Sequence, residues 1–312
     1  MQLIEFDECM QDRQRPATAH KVVPNREVPE PSADITNYYR QTIEDYKTWS
    51  CEGYMHFGIW QPWSNPFNRQ AMLEAMNDLL FSRLGLASTS CLKIADLGCG
   101  VGAVSKYGSR KYCRHHWTAV TLSPEQIEYG KTLLDPLDHE RVEFLQADYN
   151  DLPIKSESLD VAFFLESLCH AEHPHTALAE AWRILKPGGR LVVVDGMMRK
   201  RPEQTPRLVN QVSRKTAENW AVGEFHNVPQ FEDAVCRSGL QIENRMEIGW
   251  KLAPCVAHSP ALIGVHSLKL LLTGKLTAWK RKHLIGCALG VLLGTLRPWF
   301  GYYVYSLRKP SV

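Results

Sequence analysis

The sequence predicts an α/β fold: an open, mostly parallel sheet of seven strands with helices on both faces and a helical cap. Three observations point there. Short apolar runs at 92–97, 116–121, 142–146, 159–165, 191–195, 240–248 and 301–307 have the length and side-chain character of strands, and helical patterns separate most of them. The first run passes through Gly98, Gly100 and Gly102 into a helix starting at Ala103, so a turn free of β-carbons joins strand to helix. The second ends in Thr121-Leu122-Ser123-Pro124-Glu125-Gln126, where Ser123 is placed to cap a helix whose first residue is proline.

In chain order, residues 1–33 are rich in Pro, Arg, Asn and Glu without an apolar period, and read as a mobile leader. Residues 34–86 read as an aromatic helical lid. Tyr38, Tyr39, Ile43, Tyr46 and Trp49 recur on one side of a helix, and the dense aromatic segment 54–60 breaks at Pro62. Asn65 then caps a helix with Pro66 at its first position; Met72, Leu73, Met76, Leu79, Leu80 and Leu84 form its apolar stripe and Gly85 stops it. The core occupies 87–253. A helical cap follows at 254–298, with Leu262, Val265, Leu268, Leu272 and Leu276 on one helix and the run 284–296 on another, and 299–312 hold the last strand and a tail.

Composition narrows the class. The apolar and charged fractions are those of a globular protein, and a net charge of +2 is too small to mark a nucleic-acid binder. Nine cysteines stand singly, with no Cys-x-x-Cys and no Cys/His pair at zinc spacing, which predicts reduced thiols, no metal site and a cytoplasmic location. The first residues are acidic and lack the basic and apolar regions of a signal peptide. The run 284–296 is interrupted by glycine and shorter than the roughly 20 residues that cross a bilayer. Lys275, Lys280, Arg281, Lys282 and Arg297 punctuate the cap, and basic residues beside apolar helices suit peripheral contact with an anionic membrane.

The three glycines let a backbone pass close to a flat or charged ligand and aim helix N–H groups at it. Gly98-x-Gly100-x-x-Ala103 also satisfies a dinucleotide fingerprint, but that reading needs an acid at the end of the second strand, and 116–123 ends without one. Asp96-x-Gly98-x-Gly100-x-Gly102 resembles the first motif of class I S-adenosylmethionine-dependent methyltransferases. Leu185-Lys186-Pro187-Gly188-Gly189 before an apolar strand is a further resemblance to their core. Thr121-Leu122-Ser123-x-x-Gln126 and the His56-containing aromatic segment resemble the group of sterol C-methyltransferases, tocopherol methyltransferases and cyclopropane fatty acid synthases. The resemblance implies a Rossmann-like class I methyltransferase fold with S-adenosyl-L-methionine as cofactor. Asp96, Gly98, Gly100, Gly102, Thr121, Leu122 and Gln126 would hold it, with Asp148 accepting the adenine amino group and Tyr149 covering the ring.

Ligands of open α/β sheets bind beyond the carboxyl ends of the strands, so Glu166 and His170, directly after the run 159–165, face the reaction centre. Glu166-Ser167-Leu168-Cys169-His170-Ala171 is similar to the Glu-x-x-Cys-His-Ala of sterol C-methyltransferases, which implies an apolar, isoprenoid-type small-molecule acceptor. With an alkene acceptor, Tyr54, Trp60 or Tyr38 can face a carbocation while Glu166 or His170 removes the proton. With a hydroxyl or amine, His170 or His56 serves as general base. Two other classes fit the same motifs: a non-methylating cyclase on this fold, and a cofactor-binding interaction protein without turnover.

Overall fold

The computed structural model describes residues 49–311. The leader and most of the expected aromatic helix, Tyr38, Tyr39, Ile43 and Tyr46 included, lie outside the described residues. Helix α1 (Arg69–Leu84) precedes the sheet. Strands β1 (Lys93–Leu97), β2 (His116–Thr121) and β3 (Val142–Gln146) alternate with α2 (Ala103–Lys111), α3 (Pro124–Leu133) and the short α4 (Pro136–His139). Strand β4 (Leu159–Leu165) leads through a single 3-10 turn, Leu168–His170, to α5 (Pro174–Ile184) and β5 (Leu185–Met198). There follow α6 (Arg207–Asn219), α7 (Val228–Ser238), β6 (Gln241–Glu247), three cap helices α8 (Gly249–Ala257), α9 (Ser259–Leu272) and α10 (Ala278–Thr295), and β7 (Phe300–Arg308).

The sheet has the order β3-β2-β1-β4-β5-β7-β6, parallel except for β7, which runs antiparallel between β5 and β6. Chain direction across the sheet reverses between β1 and β4, where Asp96 pairs with Phe163. That crevice is where an open sheet receives its ligand. Both faces are covered, and alternation along each strand divides two cores. Leu97, Phe164, Leu191 and Val193 pack with Leu178 of α5 and Phe231 of α7. On the other face Ile94, Trp117, Phe163 and Val192 pack with Leu73, Met76, Leu80 and Phe81 of α1. Strand β6 is mostly exposed and studded with charge, the usual protection of an edge.

Three local expectations change. Asn68, not Asn65, caps α1: its side chain accepts from the Ala71 amide at 3.0 Å, while Asn65 accepts from Phe67 at 2.9 Å and closes a separate turn. Strand pairing of β5 begins at Leu185, ahead of the expected 191, because Pro187-Gly188 forms a bulge between the Leu159 and Val161 pairings. The cap starts at Gly249 and holds three helices, since Pro254 is tolerated inside α8 and the helical bonding pattern is interrupted at His258, whose own angles (φ −76°, ψ −22°) stay helical.

Candidate active site

A cavity of about 1150 Å³ opens along the carboxyl ends of β1 to β5 and runs under α8 to α10. At its sheet end Gly98 and Gly100 line the cavity with φ of 86° and 55°, values that side chains other than glycine adopt at a cost. Gly102 (φ 74°), expected at the cofactor, does not line it: a β-carbon there would meet the Phe144 ring at 2.6 Å, so this glycine serves the close packing of loop on sheet. The Gly98 and Cys99 amides donate to the Val120 carbonyl at 3.0 and 2.8 Å, which clamps the loop to β2. The tightest neighbour of Gly98 is protein: a β-carbon there would stand 2.4 Å from that of Ser167, whose hydroxyl donates to the Leu97 carbonyl at 2.6 Å. Asp96 lies buried beneath the loop, accepts from the Ser105 hydroxyl at 2.8 Å, and is pushed up to about 7 by burial. It lines the cavity as well as supporting the turn.

Thr121 and Gln126 are both buried and joined at 2.6 Å, the Thr121 hydroxyl donating to Gln126 Oε1. Ser123 caps α3 by accepting from the Gln126 amide, which fixes that pair at the strand end beside Leu122. Asp148 follows β3; its Oδ1 accepts from the Asn150 backbone and side chain, both at 2.8 Å, with no donor among the described residues on Oδ2. Tyr149 donates to the Ser167 carbonyl at 3.2 Å and meets Phe164 edge-on. Thr121, Leu122, Ser123, Gln126, Asp148 and Tyr149 all open onto the same cavity.

Glu166 occupies the crevice at φ 51°, in a left-handed conformation rarely adopted by a non-glycine residue, and such strain persists where the surroundings enforce it. Its Oε1 accepts from the Phe57 amide at 2.6 Å and from the Tyr302 hydroxyl. Burial pushes its carboxyl up to about 8 despite those two bonds. Asp195, three residues before the end of β5, accepts from the Cys169 and Gly196 amides at 3.0 and 2.9 Å and is pushed up to about 7, again by burial. His170 contacts the Ala221 backbone and is driven down to about 4 by burial, so its imidazole is neutral. Aromatic side chains Trp49, Tyr54, Phe57, Trp220, Phe225 and Tyr302 line the same space.

Glu166 and His170 therefore both line the cavity wall, as do His56 and Tyr54 of the aromatic segment. The His56 Nδ1–H donates to the Phe57 carbonyl at 3.0 Å, its other edge turns toward Asn77 inside α1, and burial drives it down to about 4. Tyr54 lies between the rings of His56 and Tyr107, with its phenol raised by burial. The sequence marks Tyr302 and Asp195 only as strand residues. Asp195 carries a legible signal, an acid ending an apolar strand as Asp96 does; Tyr302 carries none, because only the antiparallel return of β7 brings it to this end of the sheet.

A sheet of order 3-2-1-4-5-7-6, a glycine loop after its first strand and an acid after its third define a class I methyltransferase domain, and this chain carries one. Residues 95–193 match the family model described as "Methyltransferase domain". An O-methyltransferase of Penicillium expansum is 33% identical over 165 residues, 52% of this chain and 58% of that protein. An S-adenosyl-L-methionine-dependent Diels-Alderase of Talaromyces variabilis is 34% identical over 176 residues, 52% of this chain and 56% of its own length. The matches thus span little more than half of these relatives. The cyclopropane synthase MmaA2 of Mycobacterium tuberculosis shares the fold at a TM-score of 0.75 and 18% identity, over 91% of this chain and all of that one.

Proposed function

We propose that the chain transfers the methyl group of S-adenosylmethionine to a carbon of an apolar small molecule, an isoprenoid or other lipid-like alkene. The observation that carries this reading is a single cavity in which the glycine loop and Asp148 share one wall system with aromatic rings and a buried carboxyl pair. The residues suit the cofactor: the loop is held open by its left-handed glycines, and Asp148 keeps acceptor capacity for an amino group. When bound, the cofactor supplies an electrophilic methyl group on a sulfonium.

The protein's own residues do the rest. Aromatic walls exclude water and hold the acceptor, which can contribute much of the acceleration by positioning alone. An alkene that gains a methyl cation becomes a carbocation and must lose a proton. Ring faces stabilise that charge, and Glu166, held by Tyr302 and Phe57, takes the proton in its ionised form.

A hydroxyl acceptor is the second reading, favoured by the neutral His170 on the cavity wall and by the O-methyltransferase relative. The Diels-Alderase relative supports a third, rearrangement without transfer. Cofactor labelled in its methyl group, incubated with the protein and fractionated apolar extracts, separates them. Label on carbon supports the first reading and label on oxygen the second. A rearranged, unlabelled product overturns methyl transfer.

A further inference from the structure

All 34 acidic residues lie before residue 248: positions 248–312 contain no Asp or Glu and nine Lys or Arg. The cap therefore belongs to a segment of one charge sign. Helix α9 is also inverted for a helix in water. It buries Ser259 and His266 toward the protein, together with Leu270, while Val265, Leu268, Leu271 and Leu272 are 69%, 57%, 61% and 79% exposed. Val265, Leu268 and Leu272 follow the i, i+3, i+7 spacing of one face. Ile285 and Leu292 of the neighbouring α10 are exposed as well.

Charge stands directly beside this apolar face. Lys269 lies within it, Lys275 in the loop after it, and Arg281 and Lys282 in the first turn of α10; all four are exposed. Lys282 lies 5.0 Å from the centre of the Trp279 ring, an amphipathic pairing suited to a boundary between water and lipid. A protein partner could cover an apolar stripe, but a stripe whose own segment carries cations and no acid matches a surface that is apolar below and anionic above.

We propose that the outer face of α9 and the start of α10 docks on an anionic lipid bilayer, leucines in the acyl boundary and the four cations among the headgroups. The segment 249–272 is long and apolar enough to cross a bilayer by composition, yet α8 is tied into the fold. The Trp60 amide donates to the Lys251 carbonyl at 2.7 Å and the Gly58 amide to Cys255 Sγ at 3.2 Å, so α9 lies on the membrane rather than spanning it. Helix α9 contributes Ser259 and Pro260 to the cavity and α10 His283 and Cys287, so docking brings the site to a source of apolar acceptor. That last step rests on the proposed function; docking itself does not.

Co-sedimentation with vesicles of phosphatidylcholine, with and without phosphatidylserine, tests the surface. Binding is expected only to the anionic vesicles and falls with added salt. The variant Lys269→Ala/Lys275→Ala should bind more than tenfold more weakly, at about fivefold per cation. Leu268→Glu/Leu272→Glu should abolish binding, and because all four positions are exposed both variants keep the parent melting temperature. Equal binding to neutral and anionic vesicles overturns the proposal. So does parent-like binding by either variant, or a concentration-dependent dimer without vesicle binding, which would assign the face to a second copy. Calorimetry with S-adenosylhomocysteine reads the cofactor site separately, so failure of docking is distinguishable from failure of the enzymatic reading.

Discussion

Glu166→Gln should change how stability responds to pH. The carboxyl has an ordinary value of 4.5 and is held at about 8 in the folded protein, chiefly by burial. Between those values the folded state keeps a proton that the unfolded chain has released. The stabilisation from that proton is therefore fully present below pH 4.5 and lost as pH rises through 8. At about 1.4 kcal/mol per unit, the interval from pH 5 to 8 corresponds to about 4 kcal/mol. Glutamine keeps the shape of the protonated acid and does not titrate, so the variant should gain about 4 kcal/mol on the parent between pH 5 and pH 9. Asp96 and Asp195 are raised in both proteins and cancel in the difference. Urea denaturation of both proteins across that range measures it. Parallel curves would mean that Glu166 ionises like an exposed carboxylate, and the strained, buried proton acceptor would have to be abandoned.

Other substitutions separate the glycine loop, Asp148 and the cap. Gly98→Val forces a side chain at φ 86° into Ser167 and should lose about 1–3 kcal/mol of stability along with at least tenfold in S-adenosylhomocysteine affinity; calorimetry finding full affinity in a folded variant removes the cradle. Asp148→Ala should cut the same affinity about tenfold at unchanged melting temperature, since the group it loses holds only Asn150 within the protein. Gly290→Val places a β-carbon 2.4 Å from the Trp220 ring and should destabilise by about 1–3 kcal/mol, read by thermal melting.

The parts of the fold legible in the sequence were those written in local chemistry. A buried strand running into Gly98, and Ser123-Pro124 at the head of α3, mark the loop and the helix wherever the chain later folds. Helix α6 escaped the reading because the residues it buries, Val209, Ser213, Thr216 and Ala217, are mostly small or polar, and α10 packs closely upon it. The outward face of α9 was legible as an apolar stripe, but a stripe does not say which side of a helix meets the protein. The partners of Glu166 were hidden for a different reason: Phe57 and Tyr302 lie 109 and 136 residues away, and the latter arrives only because β7 inserts backwards.

Insertion of β7 between β5 and β6 also orders events during synthesis. Among the described residues β6 pairs with β7 alone, so residues 241–247 emerge with no strand to join until Phe300–Arg308 has been made. The ribosome-bound intermediate would hold β1 to β5 in place, with β6 unpaired and Glu166 lacking its phenol. Assembly of the site and closure of the sheet are then one event, and the open edge of β5 is the surface most in need of shelter before it occurs.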